Sequence, residues 1–451
     1  MDDKRVPIKT VLAIIAVALV SFSGIMAETS MNVTFTTLAQ TFGSNLNTIQ
    51  WVTAGYLLAV TIAITTSAYT TKRFSIRAVW LVSILLFIVG SLVGACALNL
   101  PMLILGRVLE GTASGIAMPL SFNIVIYTVP SERIGTWLGF SSLVVSLAPS
   151  FGPSYGGLIL DHFGWRAIFI ILLIAPALSL MMGWQTINHI DNRSKTSGFD
   201  WGAFSLFAII LMTSLLLVNQ FEQHGFNWPL GILMVVAIVA LVWHYQHSRK
   251  SFLNFTLFRQ GRFLALLVPV ALYMFSMLGL NLIIPTLAEN ELHTSSFIAG
   301  FALLPGALTG ALLNPYFGRM YDHRGGKLPM YLGNWILLGA VSIMATFKLQ
   351  WGLSFLIGIY IVYIIGRNMA YFGAQTAAID DQPPVNQSDA TAIIQTFQMF
   401  MGSMGTTVGA LFQTQFGILN GFKTFSCFSI GIAVVNGLLM WGYYRSKKRS
   451  R

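Results

Sequence analysis

Charge is what this chain has least of. Only 9% of its 451 residues are Asp, Glu, Lys or Arg, where a soluble domain carries about 25%. That shortage excludes an ordinary water-soluble body. Cysteine is nearly missing too. Cys96 and Cys427 both lie in apolar runs, which leaves neither a disulfide framework nor a thiolate metal site. The seven histidines are scattered. His244 and His247 share a helical spacing only at a helix end, so no metal site is expected. No glycine-rich phosphate loop is present, so ATP coupling and a nucleotide cofactor are not expected. No nucleophile–base set marks an enzyme. Acid is scarcer than base, 15 residues against 26. The resulting net charge of +11 belongs to membrane topology and does not point to nucleic acid.

What the chain has in quantity is apolar length. Hydrophobic residues make up 55% of it. A span needs about 20 apolar residues, and fourteen such runs can be drawn: 11–37, 49–70, 78–98, 102–127, 134–160, 164–185, 203–221, 229–247, 264–286, 296–317, 328–346, 352–373, 389–415 and 424–444. The sequence therefore predicts an all-α polytopic membrane protein seated in a lipid bilayer. The first run follows Lys4 and Arg5 but continues into Glu28 and lacks a small-residue cleavage site. It reads as a retained span and not as a secretory leader.

An even count puts both termini on one side. With the termini inside, inner segments hold 21 of the 26 Lys and Arg; Arg166, Lys348 and Lys423 lie outside, and Arg107 and Arg367 lie within spans. Basic residues gather on the cytoplasmic side, so both termini are expected in the cytoplasm.

Against this apolar background the polar residues inside spans stand out. The stretch 103–118 holds Arg107 and Glu110 in an otherwise apolar helix. Each charge costs about 2.5–3.5 kcal/mol at the bilayer centre on insertion scales. Helical spacing places Arg107, Glu110, Gly111, Ser114, Gly115 and Met118 on one face. That stripe belongs inside a bundle, either along an ion or substrate path or as a self-neutralising pair at i, i+3. On the first span Ser21, Gly24, Glu28 and Asn32 share a face. A lone carboxylate in hydrocarbon tends to keep its proton and release it when water or a cation arrives. Glu28 is thus a candidate proton or cation site, or an acid satisfied by Asn32 or a neighbouring helix.

Gly152 and Gly156 form a small-residue step that lets another helix approach; Pro149 and Pro153 interrupt the same span. The loop Gly318–Lys327 joins a glycine pair to Arg319, Asp322 and Arg324. Asp322 is placed to cap the following helix or to pair with an arginine, or else the loop is a solvated turn. Gly106-Arg107 and Gly366-Arg367 form an echo between two halves, and duplicated halves are a transporter habit.

At these residues the chain resembles the major facilitator superfamily. Gly318-x-x-x-Asp322-x-x-Gly325-x-Lys327 is similar to its loop signature. Leu103-x-x-x-Arg107-x-x-Glu110-Gly111 is similar to its fourth-span signature, where many members carry Gln in place of Glu110. Gly152-Pro153-x-x-Gly156-Gly157 resembles the antiporter signature of the fifth span. Glu28-Thr-x-x-Asn32-Val33 and Trp165-Arg166-x-x-Phe169 resemble the fourteen-span drug:proton antiporters of Gram-positive bacteria. Two departures matter: the loop Thr71–Arg77 lacks the signature's Gly and Asp, and Ala27 stands where many relatives carry an acid, beside Glu28.

The resemblance implies a major facilitator fold, with two six-helix bundles at 1–190 and 263–451 and two additional helices at 191–262. It implies alternating access in a bacterial plasma membrane, with drugs leaving as protons enter. Glu28 and Glu110 would be the proton or cation sites, with Arg107 as their switch partner. The cavity would draw on Asn32, Tyr56, Asn123, Tyr273, Met274, Met277, Asn281, Arg367, Met369, Tyr371, Gln395, Gln398 and Met399. Gly152, Pro153, Gly156, Gly157, Gly318, Asp322 and Gly325 would serve the conformational change. The expected partners are small-molecule drugs, lipophilic and cationic, together with protons. No cofactor beyond the proton gradient, no metal, no ATP and no nucleic acid is expected. Export of one endogenous metabolite or lipid is the neighbouring alternative; a transport-dead membrane sensor is the alternative from another class.

Overall fold

The computed structural model describes residues 6–44, 46–49, 51–187, 198–224, 227–248 and 253–449. Among them the secondary structure is helical throughout. The helices are α1 (Ile8–Met31), α2 (Phe35–Phe42), α3 (Leu46–Ile49), α4 (Trp51–Arg73), α5 (Ile76–Ala95), α6 (Leu100–Thr128), α7 (Ile134–Phe163), α8 (Trp165–Leu172), α9 (Ile174–Thr186), α10 (Trp201–His224), α11 (Trp228–His247), α12 (Gly261–Asn290), α13 (Ser296–Phe301), α14 (Leu304–Arg324), α15 (Lys327–Ala345), α16 (Gly352–Asp380), α17 (Pro384–Phe416) and α18 (Ile418–Arg449).

Local chemistry sets the boundaries. Asn99 accepts from the Met102 amide at 2.9 Å and Pro101 follows in the first turn of α6. Ser75 starts α5 by the same device. These side chains satisfy amide groups that the helix cannot pair itself. Gly325 ends α14 at φ +70°, with its amide on the Tyr321 carbonyl, a backbone conformation that a side chain disfavours.

Among the described residues eleven helices are long and apolar enough to cross a membrane. The expected runs 134–160, 203–221 and 389–415 are helical as well, but lie outside that set. α17 is interrupted by Asn386, Gln387, Asp389, Gln395 and Gln398. α10 carries an apolar stretch over Trp201–Ser214. The first span is shorter than its apolar run: α1 stops at Met31, a 3-10 turn covers Asn32–Thr34 and α2 resumes the helix. Likewise, the run 296–317 splits into α13 and α14.

Two bundles result. α1, α4, α5, α6, α7 and the α8–α9 pair pack as one; α12 and α14–α18 pack as the other. Each repeats the same neighbours: α5 against α6 matches α15 against α16, and α1 against α7 matches α12 against α17. Across the seam α7 lies on α14, and α4 and α6 lie on α17. α10 and α11 form a separate antiparallel pair set against α4 and α17 through α10. Asp200 secures the end of that pair away from its connecting loop, where α10 begins and α11 ends. It accepts from the Ala203 amide at 3.1 Å and the Ser248 hydroxyl at 3.0 Å, and lies 2.8 Å from His244 Nε2. Burial pushes the Asp200 carboxyl up, but these hydrogen bonds and the His244 charge outweigh it and hold it below its ordinary value.

Candidate functional site

The stripe on α6 is buried by glycine. A methyl on Gly111 would meet the Tyr56 carbonyl and one on Gly115 the Val60 carbonyl, both on α4. That close approach walls in Arg107 and Glu110, neither of which keeps any accessible surface. Arg107 Nη1 donates to Glu110 Oε2 at 2.6 Å, and Ser91 on α5 donates to Glu110 Oε1 at 2.6 Å. Arg107 Nε reaches the Val52 carbonyl at 3.4 Å. The guanidinium lies 4.1 Å from the centre of the Tyr56 ring, a favourable cation–π position. Arg107 Nη2 has no protein hydrogen bond. Tyr56 in turn donates to the Gly24 carbonyl on α1 at 2.7 Å, with Ser114 Oγ 2.8 Å away. The i, i+3 spacing thus yields a closed ion pair on one helix.

Glu28 sits one turn beyond Gly24 on α1. It keeps part of its surface accessible and lies within electrostatic range of Arg107 and Tyr56. No ion pair or hydrogen bond from its carboxylate occurs among the described residues. The two membrane acids therefore differ: Glu110 is sealed and paired, whereas Glu28 is partly accessible and has no counter-ion among the described residues.

The second bundle repeats the frame. A methyl on Gly106 would sit 2.8 Å from the Gly90 carbonyl; one on Gly366 would sit 2.8 Å from the Gly333 carbonyl. A methyl on Gly90 would lie 2.7 Å from the Glu110 amide, and one on Gly333 would lie 2.5 Å from the Ala370 amide. Arg107 thus matches Arg367, and Glu110 matches Ala370. Asn334 stands in the place of Ser91, where it accepts from the Tyr273 hydroxyl at 2.7 Å and donates to the Ala433 carbonyl at 2.9 Å. Arg367 stacks on Tyr371 at 4.2 Å. Its Nε donates to the Tyr273 carbonyl at 3.4 Å, its Nη1 to Asn368 Oδ1 at 2.9 Å and its Nη2 to the Met274 sulfur.

The seam between the bundles is tight at the end bearing the basic loops. Asp322, at the end of α14, does not cap the helix that follows it. Its carboxylate accepts from the Gly135 amide at 2.8 Å, the Thr136 amide at 2.7 Å and the Thr136 hydroxyl at 2.6 Å. It therefore caps α7 of the other bundle, where a helix N-terminus favours an anion. The sequence alone offers it as a cap for α15, a partner for an arginine or part of a solvated turn; the close crossing of Gly318 on Gly135 carries it across the seam instead. A second clasp joins Lys72 of α4 to Asp389 of α17. Asp389 also accepts from the Asn254 amide at 3.2 Å, and Tyr127 and Ser388 hydroxyls meet at 2.9 Å.

The remaining expected residues divide. Gln395 Nε2 reaches the Met118 carbonyl across the seam at 3.5 Å, Gln398 lies against the Tyr371 hydroxyl, and Met399 packs on the Tyr56–Met118 cluster. Asn123 is buried with neither amide atom bonded to protein. Tyr273 is fully buried, its hydroxyl on Asn334 of α15. Asn281 accepts from Tyr360 at 2.6 Å. Gly152 and Gly156 pack on Thr29 and Ser30 of α1, whereas a methyl on Gly157 would meet no atom within 4 Å. The side chains of Asn32 and Pro153 lie outside the described residues. Sequence reasoning missed Ser91, Asn314, Asn368, Lys72 and Asp389. Of these only Asp389 carried a signal, a lone acid at the mouth of an apolar run.

The Major Facilitator Superfamily profile matches residues 17–406. The lincomycin resistance protein LmrB of Listeria innocua serovar 6a is 28% identical over 412 residues, 89% of this chain and 86% of that protein. The multidrug export protein EmrB of Haemophilus influenzae is 29% identical over 314 residues, 68% of this chain and 62% of that protein. Among solved structures, the proton:xylose symporter XylE bound to 6-bromo-6-deoxy-D-glucose superposes with a TM-score of 0.68 at 14% identity, covering 97% of this chain and 96% of that one.

Proposed function

The chain belongs to the Major Facilitator Superfamily, and from that premise we propose that it exports lipophilic drugs, cationic ones included, from a bacterial cytoplasm in exchange for protons. The matches to a lincomycin resistance protein and a multidrug export protein support the cargo class. Fourteen spans are proposed, with α7, α10 and α17 joining the eleven. The division is 1–190, 191–262 and 263–451, with both termini cytoplasmic.

One observation carries the mechanism: Glu28 is an acid at membrane depth that retains some accessible surface and has no ion-pair partner among the described residues. An acid in that position exchanges its proton as the water around it changes. Arg107 is the cation within electrostatic range of Glu28. Glu110 holds Arg107 in place as its fixed counter-charge, since opening that pair would leave a buried charge uncompensated. The clasps at Asp322 and Asp389 close the basic end, so this state is closed toward the cytoplasm. Cargo and protons then compete for Glu28, and the membrane potential adds about 2.3 kcal/mol per net charge per 100 mV.

The test is dye efflux from vesicles under an imposed pH gradient. Glu28→Gln should lower gradient-driven efflux at least about tenfold, the scale of losing an essential proton site, while the protein still reaches the membrane. Gradient-driven efflux at the wild-type rate in that variant would remove Glu28 from coupling.

A further inference from the structure

Arg367 is a permanent charge with no acid among the described residues to answer it. Its side chain is 5% exposed, and its contacts are a backbone carbonyl, an amide oxygen, a thioether and an aromatic face. In the first bundle the same frame supplies Glu110 three residues after the arginine; in the second, Ala370 fills that place with the glycine contacts intact. The acid is missing from a site shaped like one that holds it. A buried cation without a counter-ion is costly, so its retention beside the seam calls for a partner that comes and goes.

Arg367 is also placed to communicate. Asn368, which it bonds, donates to Asn314 on α14 at 3.1 Å, and Asn314 donates to Ser146 on α7 at 3.3 Å. The chain of bonds ends on the helix pair that Asp322 clasps. Tyr371, on which Arg367 stacks, meets Gln398, next to Met399, which packs against Tyr56 of the other bundle. The two Arg–Tyr stacks therefore flank the seam at its middle, one neutralised by its own acid and one not.

We infer that the second bundle recognises an anionic group of the cargo at Arg367, so that the preferred substrates are amphoteric, with a cationic part directed to Glu28 and a carboxylate, phenolate or similar anion to Arg367. This rests on the exporter reading and adds to it the charge type of the cargo. A simple cation would occupy Glu28 and leave Arg367 unanswered. An amphoteric molecule answers both, and by drawing Arg367 off Asn368 it loosens the bonds that lead to the α7–α14 seam.

A matched pair of probes tests this: a rhodamine with a free benzoic carboxylate, and its methyl ester, which is a cation only. Efflux of each is measured from vesicles, and binding of each by fluorescence polarisation on the purified full chain. Arg367→Gln should weaken binding and efflux of the free acid roughly tenfold, the size of one lost charge-assisted hydrogen bond, and leave the ester unchanged or improved. Ala370→Glu rebuilds the first bundle's internal pair and should give the same selective loss; Arg367→Lys, which keeps the charge, should recover part of it. Equal loss for both probes in folded, monodisperse Arg367→Gln would make Arg367 a structural residue and overturn the inference, as would no loss for either. If wild type binds the acid through Arg367 yet moves neither probe, the exporter reading fails and the recognition stands.

Discussion

The carboxylate of Asp322 sits on the first turn of α7, bonded at once to the amide and the hydroxyl of Thr136. The two residues belong to different bundles, so the bond exists only while the basic end of the seam is shut. A methyl on Gly318, four residues before Asp322, would overlap the Gly135 carbonyl. The contact therefore needs both the charge and the bare backbone.

Gly318→Ala should leave folding of each bundle intact and prevent this closure. Single cysteines along the basic end of α14 should then label faster with a water-soluble maleimide, and turnover should fall. Asp322→Asn should act more mildly: losing a charge at a helix terminus costs about 1 kcal/mol, which moves the open and closed populations by roughly fivefold. Unchanged labelling in both variants would show that the clasp does not control the gate.

The Lys72–Asp389 pair makes a different prediction. The loop after α4 lacks the acid that Asp322 supplies after α14, and the clasp is inverted: the loop end carries the cation and the facing helix carries the acid. Asp389→Lys should open the seam on this side through like charge. Lys72→Glu together with Asp389→Lys should restore much of the closure, leaving a remainder because Asp389 also holds the Asn254 amide. If the double variant labels as fast as the single, the charges themselves do not carry the contact.

Glu110 yields a stability prediction distinct from the coupling test on Glu28. Glu110→Gln leaves the Arg107 charge buried without its partner, a loss of about 3–5 kcal/mol, visible as a lower melting temperature in detergent. Replacing both members, Arg107→Met with Glu110→Leu, should recover most of that stability while transport stays impaired. A Glu110→Gln protein that melts like wild type but fails to couple would return Glu110 to the role of an exchanging acid.

The apolar runs located every long helix, because the cost of burying unpaired backbone in lipid leaves a span of that length no other structure. Their ends were less legible: α1 gives way to a 3-10 turn at Asn32, and the run 296–317 breaks ahead of Leu304. The Arg107–Glu110 contact was available from spacing alone, since three residues on one helix are neighbours whatever surrounds them. The echo of Gly106-Arg107 in Gly366-Arg367 was also on the page, whereas the equivalence of Glu110 and Ala370 needed both helix crossings.

By itself, then, the sequence determined an all-helical membrane chain, the grouping of its basic loops, and which few charged residues enter the apolar runs. Tertiary structure alone decided which of those charges are answered. Ser91 closes on Glu110 from 19 residues away and Lys72 on Asp389 from 317, while Glu28 and Arg367 meet no counter-ion among the described residues. Pairing of buried charge depends on how helices cross, and a crossing is set by packing over whole faces, which no local spacing records.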